Sequence, residues 1–423
     1  MTRQSGGAAG AHRATQVLVV YAYHRYPARV TTWDHLYCFA RSSHCEATYL
    51  NLRYRRVSRR LLRRRFDLVV FDTTFLGQRW SRERFRQVAQ RALPLRDLDA
   101  VKVMIPQDEF LNTDLLCDFV NDMGINHVFT NLAPADWTRV YDRVDHAGVG
   151  FTRVLTGYLE PRTVDRIARL AARAPARDLD IGYRAAAFPW FGRHGMNKVW
   201  VAERVRDKAQ ALGLTVDLDE RQRGEAGRLH GDAWYAFLLR CRYTLGAEGG
   251  TSVHDRDGAI RARTEDYLAR HPGADFAEVE AACFPGRDGD FDLRALSPRH
   301  LEACATRTCQ ILLEGAYDGI LEPGRHYLEL KADYSNLDEV MRQVAEDSTR
   351  LALVDRAHAD VVASGRYGYD AFVRQVLERA LGGRPRVTAS AWQRRAWRPL
   401  MRVADALTWI VVWAVDRFAK PKN

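Results

Sequence analysis

Short apolar segments alternate with amphipathic helical segments along most of this 423-residue chain. The stretch "QVLVVYAY" is uncharged and rich in β-branched residues, which is typical of a strand buried on both faces of a parallel sheet. Similar strand segments follow at "EATYLNL", "DLVVFDTTF", "AVKVMIP" and "NHVFTNL", with helical segments such as "SRERFRQVAQRAL" between them. This order predicts a doubly wound parallel sheet.

The same alternation restarts after residues 173–178, "RAPARD". Strand-like segments "RDLDIGYRA", "TVDLD" and "RYTLGAEGG" are separated by a long helix predicted from Asn197 to Gly213 and by the helix "GDAWYAFLLRC". The prediction is therefore an α/β chain with two Rossmann-like, doubly wound parallel-sheet domains facing across a cleft, plus an amphipathic helical tail. The predicted boundaries are 1–14 for a flexible arm, 15–175 and 176–382 for the two domains, and 383–423 for the tail.

Composition limits the class of protein. Hydrophobic residues make up 47% of the chain, which excludes global disorder, and the formal net charge is +11. Arginine dominates the basic residues. Codon bias alone produces such a skew, whereas a phosphate-binding function would use the planar guanidinium fork. Both interpretations remain open at this point.

The cysteine pattern and the N-terminus suggest a cytoplasmic protein. The seven cysteines form no C-x-x-C pair and their number is odd, so neither a disulfide framework nor a zinc site is expected. The N-terminal segment has no apolar core, so we expect no signal peptide. No run of about 18 uncharged apolar residues occurs, so we expect no transmembrane helix.

Basic residues follow the first strand of the second unit. In parallel sheets, ligands bind beyond the carboxyl ends of the strands. Arg184, Arg193, His194 and Lys198 lie on the loop after "DIGY" and in the first turns of the next helix. A helix N-terminus and basic side chains together suit a diphosphate. A solvated basic loop is the alternative.

A glycine-rich turn follows "RYTL". Gly249 and Gly250 would let backbone amides approach a ligand closely, between Glu248 and Ser252. The next residues include Asp255 and Asp257, which could be a D-x-D motif that holds a divalent ion. Aspartates are common in turns, so we predict no metal site.

The segment Ser297–Gly315 predicts a helix that leads into a buried strand. Ser297 is a good N-cap and Pro298 a good first helical residue. Arg299 then lies in the first turn and Glu302 in the second. A carboxylate there could accept hydrogen bonds from two vicinal hydroxyls, as acidic residues do with ribose in nucleotide-binding folds. Complementation of the helix dipole is the alternative for Glu302.

These segments together resemble the GT-B-fold Leloir glycosyltransferases with a group-1-like C-terminal domain. The resemblance covers about residues 180–375 and rests on "GYR…PWFGRHGMNK", "GDAWYAFLLRCRYTLGAEGGTSVHDRDG", "SPRHLEACATRTCQILLEGAYDGILEPGRHYLELKADYSN" and "SGRYGYDAF". It implies a nucleotide sugar as substrate, no cofactor and no required divalent metal. The second domain would bind the donor and the first domain the acceptor.

The resemblance also implies roles for individual residues. Glu302 would bind the ribose, the basic residues would face the diphosphate, and the segment from Glu248 to Ser252 would line the donor sugar and pyrophosphate. The predicted donor-binding residues are Arg184, Arg193, Lys198, Glu248, Gly249, Gly250, Ser252, Arg299 and Glu302.

Three departures leave the stereochemical outcome open. Arg294 stands where many retaining members carry glutamate, Arg307 replaces the usual glycine, and residues 259–295 resemble an insertion. An inverting enzyme needs a general base near the acceptor hydroxyl. The catalytic candidates are His24, Asp108 and Glu109; an ordinary loop residue is the alternative for each.

Two further regions are strongly basic. The segment "RYRRVSRRLLRRRF" predicts a helix whose arginines form a solvated face or meet an anionic membrane or a polyanionic acceptor. Nucleic acid is not expected, because no known nucleic-acid motif accompanies the charge.

The C-terminal tail combines tryptophan and arginine with an apolar run, Ala406 to Val415, that is too short to span a bilayer. This composition favours a helix lying in the membrane interface, with packing on the first domain as the alternative. We predict peripheral attachment of residues 391–423 to the cytoplasmic leaflet of the cell membrane.

The leading hypothesis is a metal-independent glycosyltransferase that acts on a cell-surface glycan or a lipid-linked acceptor. The alternative is a non-catalytic, membrane-peripheral binding protein with a degenerate nucleotide cleft. A D-x-D metal-dependent transferase is a weaker enzyme alternative.

Overall fold

The computed structural model describes residues 14–23, 29–219, 229–347, 349–382 and 398–418. The N-terminal lobe is built on a six-stranded parallel sheet with strand order β2-β1-β3-β4-β5-β6. Its strands are β1 (Thr15–Tyr21), β2 (Cys45–Asn51), β3 (Leu68–Phe71), β4 (Val101–Met104), β5 (His127–Thr130) and β6 (Gly150–Arg153). Its helices are α1 (Val30–Arg41), α2 (Arg59–Leu62), α3 (Thr73–Leu76), α4 (Arg82–Ala92), α5 (Asp114–Met123) and α6 (Trp137–Val140).

The C-terminal lobe is built on a five-stranded parallel sheet and a small antiparallel ribbon. After α7 (Pro161–Ala171) come β7 (Leu179–Arg184), α8 (Gly192–Ala211), β8 (Val216–Asp219), α9 (Asp232–Arg240) and β9 (Cys241–Gly246). The chain continues through β10 (Gly249–Thr251), α10 (Ala259–Arg270), α11 (Phe276–Cys283), β11 (Leu293–Ala295), α12 (Pro298–Ala305), β12 (Cys309–Leu313), β13 (Leu328–Leu330), α13 (Leu337–Glu346) and α14 (Arg350–Ala357). The sheet order is β13-β12-β9-β7-β8, and β10 pairs with β11.

The central strands β1 and β3 contain no charged residue because both faces of the N-terminal sheet are covered at these positions. Along β1, Leu18 and Val20 belong to one apolar core, and Val17 and Val19 belong to another on the opposite face. Alternate residues of a strand point to opposite faces, so helices on both sides bury the whole segment. The predicted architecture of two Rossmann-like lobes facing across a cleft, the GT-B fold, is confirmed.

Two helices pack on a different lobe from the one that the predicted boundaries at 175 and 382 assign them to. Ile167 on α7 packs with Tyr235 and Leu301 of the C-terminal lobe. Conversely, α15 (Tyr369–Leu381) packs against the N-terminal sheet through Phe372 and Val376. The chain therefore crosses between lobes before residue 161 and returns near residue 368.

The basic segment 53–65 differs from its prediction. Only Arg59–Leu62 is helical, and Ser58 caps this single turn by accepting a hydrogen bond from the Leu61 backbone amide at 3.2 Å. Leu61 and Phe66 are buried in the lobe core. These two tertiary contacts, and not a continuous amphipathic helix, therefore determine the position of the residues between them. The sequence pattern also missed β6 and α7, and α8 begins five residues before the predicted start.

The insertion-like segment at residues 259–295 packs against the N-terminal lobe. Ile260 on α10 and Val279 on α11 share one apolar core with Phe110. Just before α10, the Asp255 amide donates to the Phe110 carbonyl at 2.7 Å, and the Asn112 amide donates to the Asp255 carbonyl at 2.9 Å. These contacts tie the two lobes together beside the cleft.

The last described helix, α16 (Arg398–Phe418), packs back on the N-terminal lobe. The Asp405 carboxylate accepts hydrogen bonds from the Tyr21 and Tyr37 hydroxyls at 2.5 and 2.6 Å. The Trp409 ring contacts the Trp33 ring, with centroids 4.0 Å apart and the ring planes tilted by 38°. None of the described helices is long and apolar enough to cross a membrane. The predicted flexible arm, apart from Ala14, and residues 383–397 and 419–423 of the tail lie outside the described residues.

Candidate active site

The cleft between the lobes contains two adjoining cavities of about 320 and 100 Å³. The larger one is bounded on the N-terminal side by Arg29 and by polar residues that follow β4, β5 and β6: Gln107, Asp108, Asn131 and Thr156. The C-terminal lobe contributes the ends of β7 and β9 and the start of α12. Arg184, Trp234 and Arg299 line both cavities, and Glu302 lines the smaller one.

The start of α12 faces both cavities. Ser297 has the extended backbone of an N-cap residue, with φ −72° and ψ 143°, and Pro298 occupies the first helical position. Proline costs nothing at that position because its missing N–H would be unpaired there anyway. The positive end of the helix dipole therefore points into the cleft.

Arg299 lies in the first turn of α12 and is half-buried. Its guanidinium group donates a hydrogen bond to the Arg184 backbone carbonyl and lies 5.4 Å from the centre of the Trp234 ring. These two contacts orient the planar group at the cavity wall and leave other N–H donors for a ligand.

Glu302 lies one turn deeper and is 7% exposed. Its two carboxylate oxygens accept hydrogen bonds from the Trp234 indole N–H at 2.8 Å and from the Tyr235 hydroxyl at 3.2 Å. Burial raises the pKa of Glu302 to about 7, although both donors and the Arg299 charge oppose the shift. Each oxygen keeps a further lone pair for a ligand hydroxyl.

Lys198 projects from the second turn of α8 into the larger cavity. In the described part of the chain, its ammonium group has no hydrogen-bond partner. Burial, together with the Arg299 charge, lowers its pKa to about 8, and the Asp108 charge partly opposes this shift. Lys198 and Arg299 thus form a cationic pair beside the positive end of α12.

Asp108 faces this pair from the N-terminal lobe. Its side chain is exposed to the cleft, and its φ of 54° is in the left-handed region. Such conformations are uncommon for residues other than glycine and concentrate at functional sites. The neighbouring Glu109, also predicted as a general base, is 0% exposed and points into the lobe core.

The carboxylate of Glu109 accepts hydrogen bonds from the Tyr141 hydroxyl at 2.6 Å and the Thr130 hydroxyl at 2.7 Å. Burial raises its pKa to about 7. This enclosure places Glu109 among the residues that stabilise the lobe core, away from the cavity where an acceptor hydroxyl would lie. The third candidate, His24, lies outside the described residues.

Arg184 borders both cavities, but its guanidinium group is already bound. It donates to the Asp217 carboxylate at 2.8 Å and lies 4.2 Å from the centre of the Phe237 ring. The contact of Arg184 with the diphosphate stays a prediction, and the Arg184 backbone carbonyl accepts the hydrogen bond that orients Arg299.

The N-terminus of α8 was also predicted to bind the diphosphate, and the protein's own side chains occupy it. The Arg193 amide donates to Asp288 at 2.9 Å, and the His194 amide donates to the Ser252 hydroxyl at 3.1 Å. The Arg193 side chain is 62% exposed and pairs with Glu280. Arg193 and Ser252 therefore stabilise this helix start and do not line the cleft.

The glycine-rich turn lines the cavity through its backbone. Gly249 and Gly250 border the cleft, and a Cβ on Gly250 would lie 1.8 Å from the Leu293 carbonyl oxygen. The Glu248 side chain points away from the cleft and accepts a hydrogen bond from the Tyr317 amide at 2.8 Å. Donor contacts in this turn stay a prediction, and the two glycines, unlike the Glu248 side chain, line the larger cavity where they would occur.

The D-x-D segment caps a helix. The Asp255 carboxylate accepts hydrogen bonds from the Ile260 and Arg261 amides at 3.1 and 2.8 Å, and the Asp257 carboxylate accepts one from Ala259. These bonds satisfy free N–H groups at the start of α10. Within the described ranges, no group of three or more potential ligand side chains is arranged to hold a metal ion.

Sequence reasoning missed several residues that line the cleft. Trp234 and Arg29 lie outside the segments that follow the strands of the C-terminal sheet, so the strand-end rule did not select them. His300 and Gln310 lie beneath the cavity, with a 2.8 Å contact between the His300 ring and the Gln310 amide oxygen. A search for buried polar residues next to the predicted α12 start could have found these two.

No family model matches the sequence. No curated protein matches it significantly either. Solved structures with a similar arrangement include HepE from Anabaena in complex with UDP-glucose, at 11% identity over 86% of this chain and 98% of that chain, with a TM-score of 0.43. Another is the T4 phage enzyme BGT in complex with its UDP-glucose substrate, at 8% identity, 86% and 99% coverage and a TM-score of 0.47. Sucrose-phosphate synthase from Thermosynechococcus elongatus gives 12% identity, 86% and 97% coverage and a TM-score of 0.41. The likeness concerns the fold alone.

Proposed function

We propose that this protein is a glycosyltransferase that moves a sugar from a nucleotide-sugar donor to a hydroxyl group of an acceptor. The observation that carries the proposal is the convergence of Arg299, Lys198 and the start of α12 on one cleft cavity, with Glu302 one turn deeper. This arrangement suits a nucleoside diphosphate: cations for the phosphates, a carboxylate for the ribose hydroxyls.

The barrier to transfer is the departure of the diphosphate from the anomeric carbon. As that bond breaks, negative charge grows on the leaving phosphate oxygen. Arg299, Lys198 and the α12 dipole are fixed before the reaction and stabilise the charge as it forms. Because this chain's own residues supply the positive charge, we propose that a divalent metal is not required; an EDTA-insensitive rate tests this point.

Asp108 is the proposed general base. It faces the cationic pair from the opposite lobe, where an acceptor would enter between the domains. The acceptor oxygen forms a bond to the anomeric carbon while the bond to the diphosphate breaks, and the hydroxyl proton passes to the Asp108 carboxylate. This direct displacement inverts the anomeric configuration, which NMR of the product would reveal.

The proposal is tested by thermal-shift screening against nucleotide sugars, followed by hydrolysis assays without acceptor. We expect one donor to raise the melting temperature and to be hydrolysed slowly. Binding without any turnover, with or without acceptor, would favour the non-catalytic alternative. Absence of both binding and turnover across the common nucleotide sugars would contradict the proposal.

We further propose that the acceptor is a cell-surface glycan or a lipid-linked saccharide and that the protein attaches to the cytoplasmic leaflet. The support comes from α16. One face packs on the N-terminal lobe, while a stripe of exposed apolar side chains remains on the other: Leu400, Val403, Leu407, Ile410, Val411 and Trp413. Exposed arginines on the nearby 56–65 segment suit anionic lipid headgroups.

Flotation with vesicles tests the attachment. We expect binding to vesicles containing phosphatidylglycerol, and its loss in Ile410→Glu combined with Leu407→Glu, because charges on this face cannot enter the apolar interface. Leu351→Glu is the matched control, since Leu351 is equally exposed on the C-terminal lobe. Equal binding of all three proteins would contradict the proposal.

A further inference from the structure

Among the residues that the structure describes, Arg79 is the largest side chain that is fully buried. It follows α3 in the N-terminal lobe and is 1% exposed. A buried guanidinium group is unfavourable unless its N–H donors are paired, because it has lost its hydration. Burial lowers the pKa of Arg79 for the same reason, and the charges of Asp108 and Glu109 oppose that shift.

The donors of Arg79 are paired with backbone carbonyls. The Nε–H donates to Leu111 at 3.1 Å, and Nη1 donates to Leu76 at 3.0 Å. Nη2 donates to the carbonyls of Gln107 and Asp108. Three of these four acceptors belong to the short segment 107–111, so one side chain holds three of the five backbone carbonyls of that segment.

This segment forms the acceptor-side wall of the cleft. The Asp108 carbonyl points inward to Arg79 while its side chain is exposed to the cavity. The left-handed backbone of Asp108 is unfavourable on its own and persists only where the surroundings impose it. Arg79 supplies that constraint from below, and the pairing of Asn112 with Asp255 supplies it from the side.

We propose that Arg79 is a positioning residue for the reaction: three of its hydrogen bonds hold the 107–111 segment so that the Asp108 carboxylate faces Lys198 and the incoming hydroxyl group. This inference rests on the proposed function, since it gives Arg79 a role through Asp108. Arg79 itself touches no ligand, because it is enclosed beneath the segment.

The test compares Arg79→Met and Arg79→Lys with Arg64→Met. Arg64 is a second buried arginine of the same lobe, and its guanidinium group donates to Thr48, away from the cleft. We expect Arg79→Met to lower kcat at least 30-fold and to leave the Kd for the tightest-binding of UDP, GDP and ADP within threefold of wild type. Arg64→Met should lower stability with little change in kcat. Arg79→Lys should lower kcat less than Arg79→Met, because lysine keeps the charge but loses most of the hydrogen bonds. This variant provides the test if Arg79→Met does not fold.

A double-mutant cycle with Asp108→Asn separates positioning from a general structural role. If Arg79 acts through Asp108, the double variant is no slower than Asp108→Asn alone. A double variant whose loss in kcat equals the product of the two single losses would overturn the inference.

Amide hydrogen exchange provides a readout that does not need activity. We expect at least tenfold faster exchange in peptides spanning 107–112 for the Arg79 variants but not for Arg64→Met. Unchanged exchange would refute the inference even if the proposed function failed for other reasons.

Discussion

Replacing Arg299 by alanine tests the proposed stabilisation of the leaving group. The side chain is half-buried and makes one hydrogen bond to a backbone carbonyl and one cation–π contact with Trp234. Losing these costs about 1–2 kcal/mol of folding free energy, which a typical domain tolerates. Losing a fixed donor to the transition-state charge costs about 3 kcal/mol of barrier, or roughly a 150-fold lower kcat/KM.

The assay is steady-state release of the nucleoside diphosphate from the donor found by screening. Arg193→Ala is the matched control. This arginine lies after β7, is exposed and pairs with Glu280 outside the cleft, so its loss should change turnover less than threefold. Arg299→Lys should recover part of the rate, because lysine restores the charge without the planar fork. Near-normal turnover of a folded Arg299→Ala protein would refute the reasoning.

Three further predictions concern neighbouring positions. Glu302→Gln should weaken ribonucleoside diphosphate binding about tenfold and abolish the preference over the 2′-deoxy analogue, as measured by calorimetry; an undiminished preference would contradict the ribose assignment. For Lys198, whose pKa is about 8, the protonated form that attracts phosphate is lost as the pH rises, so kcat/KM should fall above pH 8. Lys198→Arg should move that fall to higher pH, and an identical profile would exclude Lys198 as the titrating group. Gly250→Ala should lower the melting temperature, because the new Cβ would meet the Leu293 carbonyl in a left-handed backbone, while Gly77→Ala, with open space around it, should not.

The alternation of apolar and amphipathic segments predicted five of the six strands of the N-terminal sheet and all five strands of the C-terminal parallel sheet, because strands buried on two faces are mostly apolar. The same reasoning failed at residues 53–65. There the arginines outnumber the apolar residues, and the conformation depends on Leu61 and Phe66 reaching the core rather than on local periodicity. The strand β6 was missed because its residues are only partly buried, so the apolar signal is weak.

The candidate site could be predicted from sequence only where the position of a residue on its helix is enough to determine the direction of its side chain. Arg299 and Glu302 lie in the first two turns of a helix whose start is marked by Ser297 and Pro298. Lys198 lies on α8, whose existence was predicted although its start was placed five residues too late. For Arg184 and Arg193, partners distant in sequence decide the direction of the side chain: Asp217 lies 33 residues away in the case of Arg184. No local pattern marks such partners, and none marked Trp234 as a donor to Glu302.

The central claim is that the start of α12 binds a nucleoside diphosphate. A crystal structure of the protein soaked with the nucleoside diphosphate that stabilises it most would test this claim most directly. We predict that the phosphates lie at the N-terminus of α12, within hydrogen-bond distance of Arg299 and Lys198, with the ribose hydroxyls on Glu302. A nucleotide bound elsewhere, or an empty cleft at a saturating concentration, would contradict the claim.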